Sequence, residues 1–154
     1  MYTKEVIDHF DNPRNVGEIK DADGIGEVGN LKCGDVMRVF IKVSRKPIAD
    51  SRYKKTANRQ PQTANEYISD IKFKTLGCAA AIASSSMMTE LVKGKSLEEA
   101  EKVSRDDIND ALGKLPAQKY HCSILSADAI KKAISDYRKK QVTRNNNQTN
   151  SKSQ

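Results

Sequence analysis

The order in which strand and helix patterns follow one another constrains the fold of this chain more than any other feature. Apolar and polar residues alternate over 36–43 and again over 67–76, as expected of half-buried β-strands. A weaker, glycine-interrupted alternation over 25–29 predicts a short third strand. Later apolar residues recur at helical spacing, so helices do not alternate with the strands. We therefore predict an α+β fold, with a small antiparallel three-stranded sheet, helices packed on one face and a long C-terminal helix.

Helical patterns occupy both ends of the predicted domain. An N-terminal helix over 3–10 places Val6, Ile7 and Phe10 on one face. Residues 78–92 predict a core helix, because apolar and small side chains surround most of its circumference. The long C-terminal helix is predicted over 122–141 from apolar residues at helical spacing.

The boundaries of the domain follow from segments that lack periodicity. We predict one domain over residues 1–141, followed by a disordered polar tail over 142–154 that is rich in Asn, Gln, Ser and Lys. A basic insertion over 45–66 separates the second and third strands. An insertion of that length is uncommon in a compact domain, and its role is left open.

Composition excludes two classes of partner. With 27 Lys and Arg against 20 Asp and Glu, the chain carries a net charge of +7, which raises the question of nucleic acid. Aromatic residues make up only 5% of the 154 residues, and the chain has no helix-turn-helix or zinc-finger spacing, so nucleic acid is not an expected partner. The sequence also has no apolar run of about 20 residues and no signal-peptide pattern, so we expect a cytoplasmic protein outside the membrane.

The three cysteines are the most informative side chains. An odd number cannot pair completely within the chain, so a disulfide framework is not expected. Cys33 precedes the strand over 36–43, while Cys78 and Cys122 begin predicted helices, where backbone N–H groups favour a thiolate. Element ends of this kind can share one rim of a domain. Each cysteine could equally be a small buried apolar residue.

Neighbouring residues are compatible with a shared metal site. Asp35 and His121 add a carboxylate and an imidazole beside two of the cysteines, and Gly34 and Gly77 leave room for a bulky ligand. Such a set suits Zn²⁺ or an iron–sulfur cluster. No Cys-x-x-Cys pair is present, however, so the residues alone leave open whether these groups form one site.

Two other polar features are interpreted as structural. We expect His9 to be a partly buried helix residue rather than a ligand. The run Ser84-Ser-Ser86 is assigned to helix packing, because no His or acidic residue is evidently paired with it.

Five separate motifs resemble one family, the iron–sulfur cluster assembly scaffolds of the IscU and NifU N-terminal type. They follow the family's order from residue 2 to about residue 140, which makes the set far more specific than any single motif. The matching segments are DHFDNPRNVG at 8–17, CGDVM at 33–37, GCAAAIASSS at 77–86, TELVKGK at 89–95, and HCSIL at 121–125 with DAI at 128–130.

The resemblance implies a scaffold and carrier rather than an enzyme. Cys33, Cys78 and Cys122 would supply thiolates, and Asp35 and His121 would be exchangeable ligands. The implied cargo is an iron–sulfur cluster, with 2Fe–2S expected and 4Fe–4S left open, and zinc or iron could occupy the same ligands. Because a hard carboxylate is a poor partner for sulfide-rich iron, we interpret Asp35 as the residue that keeps the cluster labile.

The family's partners follow from the same resemblance. A cysteine desulfurase would deliver persulfide sulfur, with Cys122 as the first-choice acceptor and Cys33 the next. A ferredoxin-type donor would supply electrons, and apo iron–sulfur proteins would receive the cluster. Whether the chain forms a homodimer is left open.

The chain departs from the family pattern at two places. Ala79 stands where the family usually has Gly. The segment LPAQK at 115–119 replaces the usual LPPVK, and loss of the second Pro removes part of a preformed extended conformation, which argues against docking of an Hsp70-type chaperone. Lys119 is retained and could pair with Asp35, with a bound anion or with solvent.

One alternative function uses the same ligands. A zinc-bound sulfur acceptor, a sulfurtransferase that stimulates a cysteine desulfurase, would bind its metal through Cys33, Asp35, Cys78 and Cys122. The retained His121, and the lack of an insertion between the second and third cysteines, favour the scaffold.

Overall fold

A computed structural model of the chain describes residues 2–31, 34–46 and 65–151. Its elements confirm the predicted α+β class. Among the described residues, no helix has the length and apolar character needed to cross a membrane. In chain order the elements are α1 (Lys4–Asp11), β1 (Gly24–Asn30), β2 (Asp35–Lys46), β3 (Asn65–Leu76), α2 (Ala79–Val92), α3 (Leu97–Lys102), α4 (Arg105–Ala111), a 3₁₀ turn (Ala117–Lys119) and α5 (Tyr120–Ser151).

The sheet is antiparallel in the order β1-β2-β3. Along β2 the alternation has its expected effect, since Met37, Val39 and Ile41 are almost completely buried. Both β2 and β3 are longer than predicted. Arg45 lies opposite Glu66, and the Arg45 Nε to Glu66 Oε1 distance is 3.2 Å. This cross-strand ion pair extends the ladder beyond the apolar pattern.

The predicted insertion is therefore shorter than its assigned bounds. Arg45 and Lys46 belong to β2, and Asn65 and Glu66 belong to β3, because the two strands pair up to these residues. The remaining part of the predicted insertion, residues 47–64, lies outside the described residues.

Helix α5 packs on the sheet at two glycines of β1. A Cβ atom at Gly24 would lie 2.3 Å from the Ala133 carbonyl oxygen, and one at Gly26 would lie 2.3 Å from the Ala129 carbonyl oxygen. Only a residue without a side chain permits this approach of strand and helix backbones. The helix is thereby seated on β1, and its first turn lies beside Asp35, the first residue of β2.

The ends of the helices follow their capping residues. Thr3, Ser96 and Ser104 begin α1, α3 and α4, and each side chain accepts a backbone N–H of the first turn. At Ser104 the capping box is complete, because the Asp107 carboxylate also accepts the Ser104 N–H.

The structure departs from the sequence pattern at both terminal helices. In α1 the buried pair is Val6 and His9, whereas Ile7 and Phe10 remain exposed at 49% and 43%. At the other end, α5 continues through residues 142–151, where the composition predicts a disordered tail; residues 152–154 lie outside the described residues. Extending a helix that is already formed needs no new nucleus, so polar residues can continue it.

Candidate metal and sulfur site

Three separate elements bring the predicted ligands to one end of the molecule. Asp35 is the first residue of β2, Cys78 is the N-cap of α2, and His121 and Cys122 lie in the first turn of α5. The end of β3 lies directly before Cys78, which explains why a strand end and a helix start meet here. Four of the five predicted ligands are thus brought together, and the fifth, Cys33, lies outside the described residues.

The donor atoms form a connected chain of short distances. Cys78 Sγ lies 3.9 Å from Cys122 Sγ, and the Cys122 thiol donates to Asp35 Oδ2 at 3.9 Å. His121 Nε2 is 3.8 Å from the same carboxylate oxygen. The donor atoms of Asp35, His121 and Cys122 all lie within 4.8 Å of one another.

These distances fit one small cation or one corner of a cluster. Metal–donor bonds of about 2.0–2.3 Å in a tetrahedron place neighbouring donors about 3.3–3.8 Å apart. The His121–Asp35 separation of 3.8 Å lies at the upper end of that range, and the two separations of 3.9 Å lie just beyond it. Soft thiols together with a carboxylate and an imidazole form a donor set that both zinc and iron accept.

Burial separates the two described thiols. Cys122 and Asp35 are buried, with 0% and 7% of their surface exposed, whereas Cys78 and His121 are partly exposed. Burial, followed by interactions with Cys78 and Asp35, raises the pKa of Cys122 to about 12, although Lys119 acts in the opposite direction. The Cys122 thiol therefore carries a proton at neutral pH, and a bound metal would replace that proton.

Lys119 lies beside a thiol rather than the carboxylate. Its Nζ is 3.8 Å from Cys78 Sγ. Cys78 is the main cause of the raised pKa of Lys119, followed by Tyr2. The sequence leaves Asp35, a bound anion and solvent open as partners of Lys119. It gives no signal for the Lys119–Cys78 contact, because these two residues are 41 positions apart and lie on different elements.

Gly77 leaves room for a ligand residue. A Cβ atom here would lie 2.8 Å from Ala81 Cβ and 3.2 Å from both Asp35 Cγ and Asp35 Oδ1. The group that approaches the Gly77 backbone is therefore the Asp35 carboxylate, whereas the sequence predicts room for the bound ligand itself. Gly34 has a positive φ of +71°, and a Cβ atom there would meet nothing within 4 Å, so its role is to form the turn before β2.

A second polar cluster joins α1 to α2 and provides the His and acidic partners that the sequence did not reveal for the serine run, whose assignment to helix packing stands. Ser86 Oγ lies 2.8 Å from His9 Nδ1, and His9 Nε2 lies 3.5 Å from Glu90 Oε2. The order of hydroxyl, imidazole and carboxylate is that of a nucleophilic triad. Ser86, however, is fully buried and its Oγ accepts the Arg14 N–H at 2.9 Å, so the cluster anchors the two helices and the segment that follows α1.

Comparisons with known proteins find relatives that match almost the whole chain. The family profile described as NifU-like N terminal domain matches residues 1–58 and 60–144. An Archaeoglobus fulgidus protein, "Iron-sulfur cluster assembly scaffold protein IscU 1", is 54% identical over 140 residues, which cover 91% of this chain and 78% of that protein. The Escherichia coli "Iron-sulfur cluster assembly scaffold protein IscU" is 48% identical over 142 residues, covering 90% of this chain and 95% of that protein.

A solved structure shares the fold. The N-terminal part of a nitrogen-fixing NifU-like protein from Brucella abortus superposes with a TM-score of 0.64, covering 90% of this chain and 94% of that one. At 18% identity this likeness concerns the fold alone. The resemblance drawn from the sequence motifs is confirmed by the profile and by the two relatives.

Proposed function

Because the chain belongs to the NifU-like N-terminal domain family, we propose that it is a scaffold for de novo assembly of iron–sulfur clusters, which it then transfers to apo-proteins. The main support is that donor atoms of Asp35, Cys78, His121 and Cys122 lie close together. The chain also shares about half its residues with proteins named as scaffolds. The cargo is an iron–sulfur cluster, with 2Fe–2S the expected type.

The donor set explains how such a scaffold could both hold and release its cargo. Cys78 and Cys122, together with Cys33, would provide the soft thiolates that bind iron. Asp35 and His121 are harder donors close to Cys122, and they would exchange more readily. We assign Asp35 the role of the labile ligand because a hard carboxylate binds sulfide-rich iron poorly. Its Oδ2 atom is close enough to take part, since it lies within 4 Å of both Cys122 Sγ and His121 Nε2.

Sulfur would arrive as persulfide from a cysteine desulfurase, and electrons would come from a ferredoxin-type donor. Apo iron–sulfur proteins would receive the assembled cluster. Of the two predicted sulfur acceptors, Cys122 is completely buried, so a persulfide carried by another protein reaches it only after the site opens. We therefore propose Cys33 as the first acceptor. We also place the protein in a reducing compartment such as the cytoplasm, where its odd number of cysteines would remain thiols or metal ligands.

Anaerobic reconstitution tests the function. The protein is mixed with ferrous iron, cysteine and a cysteine desulfurase, and its visible absorption, iron and acid-labile sulfide are measured. Bound sulfide with charge-transfer absorption, followed by transfer to apo-ferredoxin, is the expected result. Single Cys33→Ser, Cys78→Ser and Cys122→Ser variants should each lose the cluster, while Tyr120→Phe, which changes only an exposed neighbour of His121, should retain it.

A different result would favour the zinc-bound sulfur acceptor. In that case the protein would retain tightly bound zinc, acquire no sulfide and still stimulate the desulfurase. The Archaeoglobus and Escherichia relatives are both named as scaffolds and lend no support to this alternative. Mass spectrometry of the same Cys→Ser variants identifies the acceptor, because persulfide should be absent from Cys33→Ser and present in Cys122→Ser.

A further inference from the structure

We propose that Cys78 and Cys122 form a reversible disulfide. This thiol pair would then be an oxidative modification site, and its oxidation would prevent metal from binding. The two sulfur atoms are 3.9 Å apart, although the residues are 44 positions apart in the chain. Formation of the bond follows from the geometry alone, whereas its effect on cluster loading rests on the proposed function.

The movement required is small. A disulfide has a sulfur–sulfur length of about 2.05 Å, so the two atoms must approach by about 2 Å. Cys78 can supply this movement because it lies at the N-cap of α2, where its side chain makes no capping hydrogen bond, and because it is partly exposed. Cys122 is held within the first turn of α5 and is completely buried.

The two thiols differ in access, and this sets the order of steps. Hydrogen peroxide reaches the partly exposed Cys78 first and oxidises it to a sulfenic acid, with release of one water molecule. The Cys122 sulfur then attacks the Cys78 sulfur, and the hydroxyl group leaves with the Cys122 proton as a second water molecule. Two thiols and one peroxide thus give one disulfide and two waters.

The bond would remove the soft donors that the described residues supply. Asp35 and His121 would remain, but a carboxylate and an imidazole bind iron and zinc less strongly than thiolates do. The Lys119 ammonium would lose its thiol partner at the same time, since its Nζ is 3.8 Å from Cys78 Sγ. Oxidised protein should therefore not accept metal until the disulfide is reduced.

The decisive experiment uses the Cys33→Ser variant of the full chain, which retains only the proposed pair. The reduced, metal-free variant is treated with one equivalent of hydrogen peroxide. We expect both thiols to be lost, the mass to fall by two hydrogen atoms, and a peptide map to link Cys78 to Cys122. Zn²⁺ affinity, measured by chelator competition, should fall by more than about 100-fold and should return after dithiothreitol, because loss of merely supporting groups already costs about 10–100-fold.

Control variants and the wild type make the proposal falsifiable. Cys78→Ser and Cys122→Ser, treated in the same way, should show no Cys78–Cys122 link. A wild-type disulfide that includes Cys33, or a Cys78 sulfinic acid without a cross-link, would overturn the proposal. Loss of cluster assembly by fully reduced wild-type protein would instead count against the proposed function and would leave the disulfide chemistry intact.

Discussion

Among the described residues proposed as ligands, Asp35 combines a hard donor with an almost fully buried position. Its Oδ2 atom lies 3.9 Å from Cys122 Sγ and 3.8 Å from His121 Nε2. Replacing it with Ala removes the ligand that binds sulfide-rich iron least well, so the assembled cluster should leave more slowly. We expect Asp35→Ala to slow transfer to apo-ferredoxin severalfold, as followed by circular dichroism of the product.

The matched control for this change is Asp128→Ala, which removes an exposed carboxylate from α5. Its transfer rate should equal that of the wild type. An unchanged or faster rate in Asp35→Ala would contradict the role assigned to Asp35.

A second prediction concerns Gly77, whose lack of a side chain leaves room for the Asp35 carboxyl group. An added Cβ would lie 2.8 Å from Ala81 Cβ and 3.2 Å from the Asp35 carboxyl group, so Gly77→Ala should displace that carboxyl. We expect Zn²⁺ affinity to fall on the order of 10-fold, as for other groups that support a metal ligand. Gly29→Ala is the control, because its nearest neighbours lie at 3.7 Å and 3.8 Å; equal affinities for the two variants would refute the positioning role.

At the scale of elements, contact between α1 and α2 makes stability depend on pH. Burial lowers the pKa of His9, and Arg14 lowers it further, while Glu90 and Asp8 act in the opposite direction. Below the ordinary value of about 6.5, the unfolded chain therefore binds the His9 proton more readily than the folded chain does. His9 contributes its full stabilisation above about pH 6.5 and loses it as the pH falls.

Urea unfolding between about pH 7.5 and pH 5.5 measures this dependence. The free energy of unfolding of the wild type should decrease toward the lower pH. His9→Gln, which keeps a polar side chain but cannot gain a proton, should show a weaker decrease. The same slope in both proteins would show that another group titrates with folding.

The exposure of residues near the C-terminal end of α5 predicts where the stable domain ends. Among the residues of this helix whose exposure is described, which run to 146, Tyr137 is the last buried one, and residues 142–146 are exposed. A chain that ends at Gln141 should therefore lose helical circular dichroism at 222 nm but keep its melting temperature within about 2 °C, because exposed groups contribute little to stability. A fall of more than about 4 °C would show that the domain extends beyond residue 141.

Local patterns predicted the elements, while contacts between elements determined their ends and partners. Alternation over 36–43 and 67–76 identified β2 and β3. The cross-strand pair of Arg45 with Glu66 has no local signal, because it exists only once the two strands are in register. Distance in sequence equally hid the contact between His9 and Ser86, which lie 77 positions apart.

The ligands of the site divide in the same way. Residue type and position at the ends of elements marked Cys78, Asp35, His121 and Cys122 as candidates, and only the family resemblance joined them into one proposed ligand set. Their separations could not be predicted, because these depend on how α5 is seated on the sheet. The proximity of the Cys78 and Cys122 sulfurs is therefore a property of the tertiary fold.

At the scale of the whole molecule, the site depends on a contact made well away from it. Helix α5 carries His121 and Cys122, and it is seated on β1 where Gly24 and Gly26 permit close approach. In Gly26→Ala, the new Cβ would lie 2.3 Å from the Ala129 carbonyl oxygen, which is backbone and cannot rotate away. The helix must therefore shift as a unit, together with the ligands in its first turn.

We expect Gly26→Ala to lower the free energy of unfolding by more than about 3 kcal/mol, which corresponds to a fall in melting temperature of roughly 6–12 °C. Zn²⁺ affinity measured well below the transition should fall as well, because His121 and Cys122 move relative to Asp35. Gly29→Ala, in the same strand but without a close neighbour, should change neither quantity appreciably. If Gly26→Ala destabilises the protein yet retains full Zn²⁺ affinity, the seating of α5 on β1 and the geometry of the site are independent.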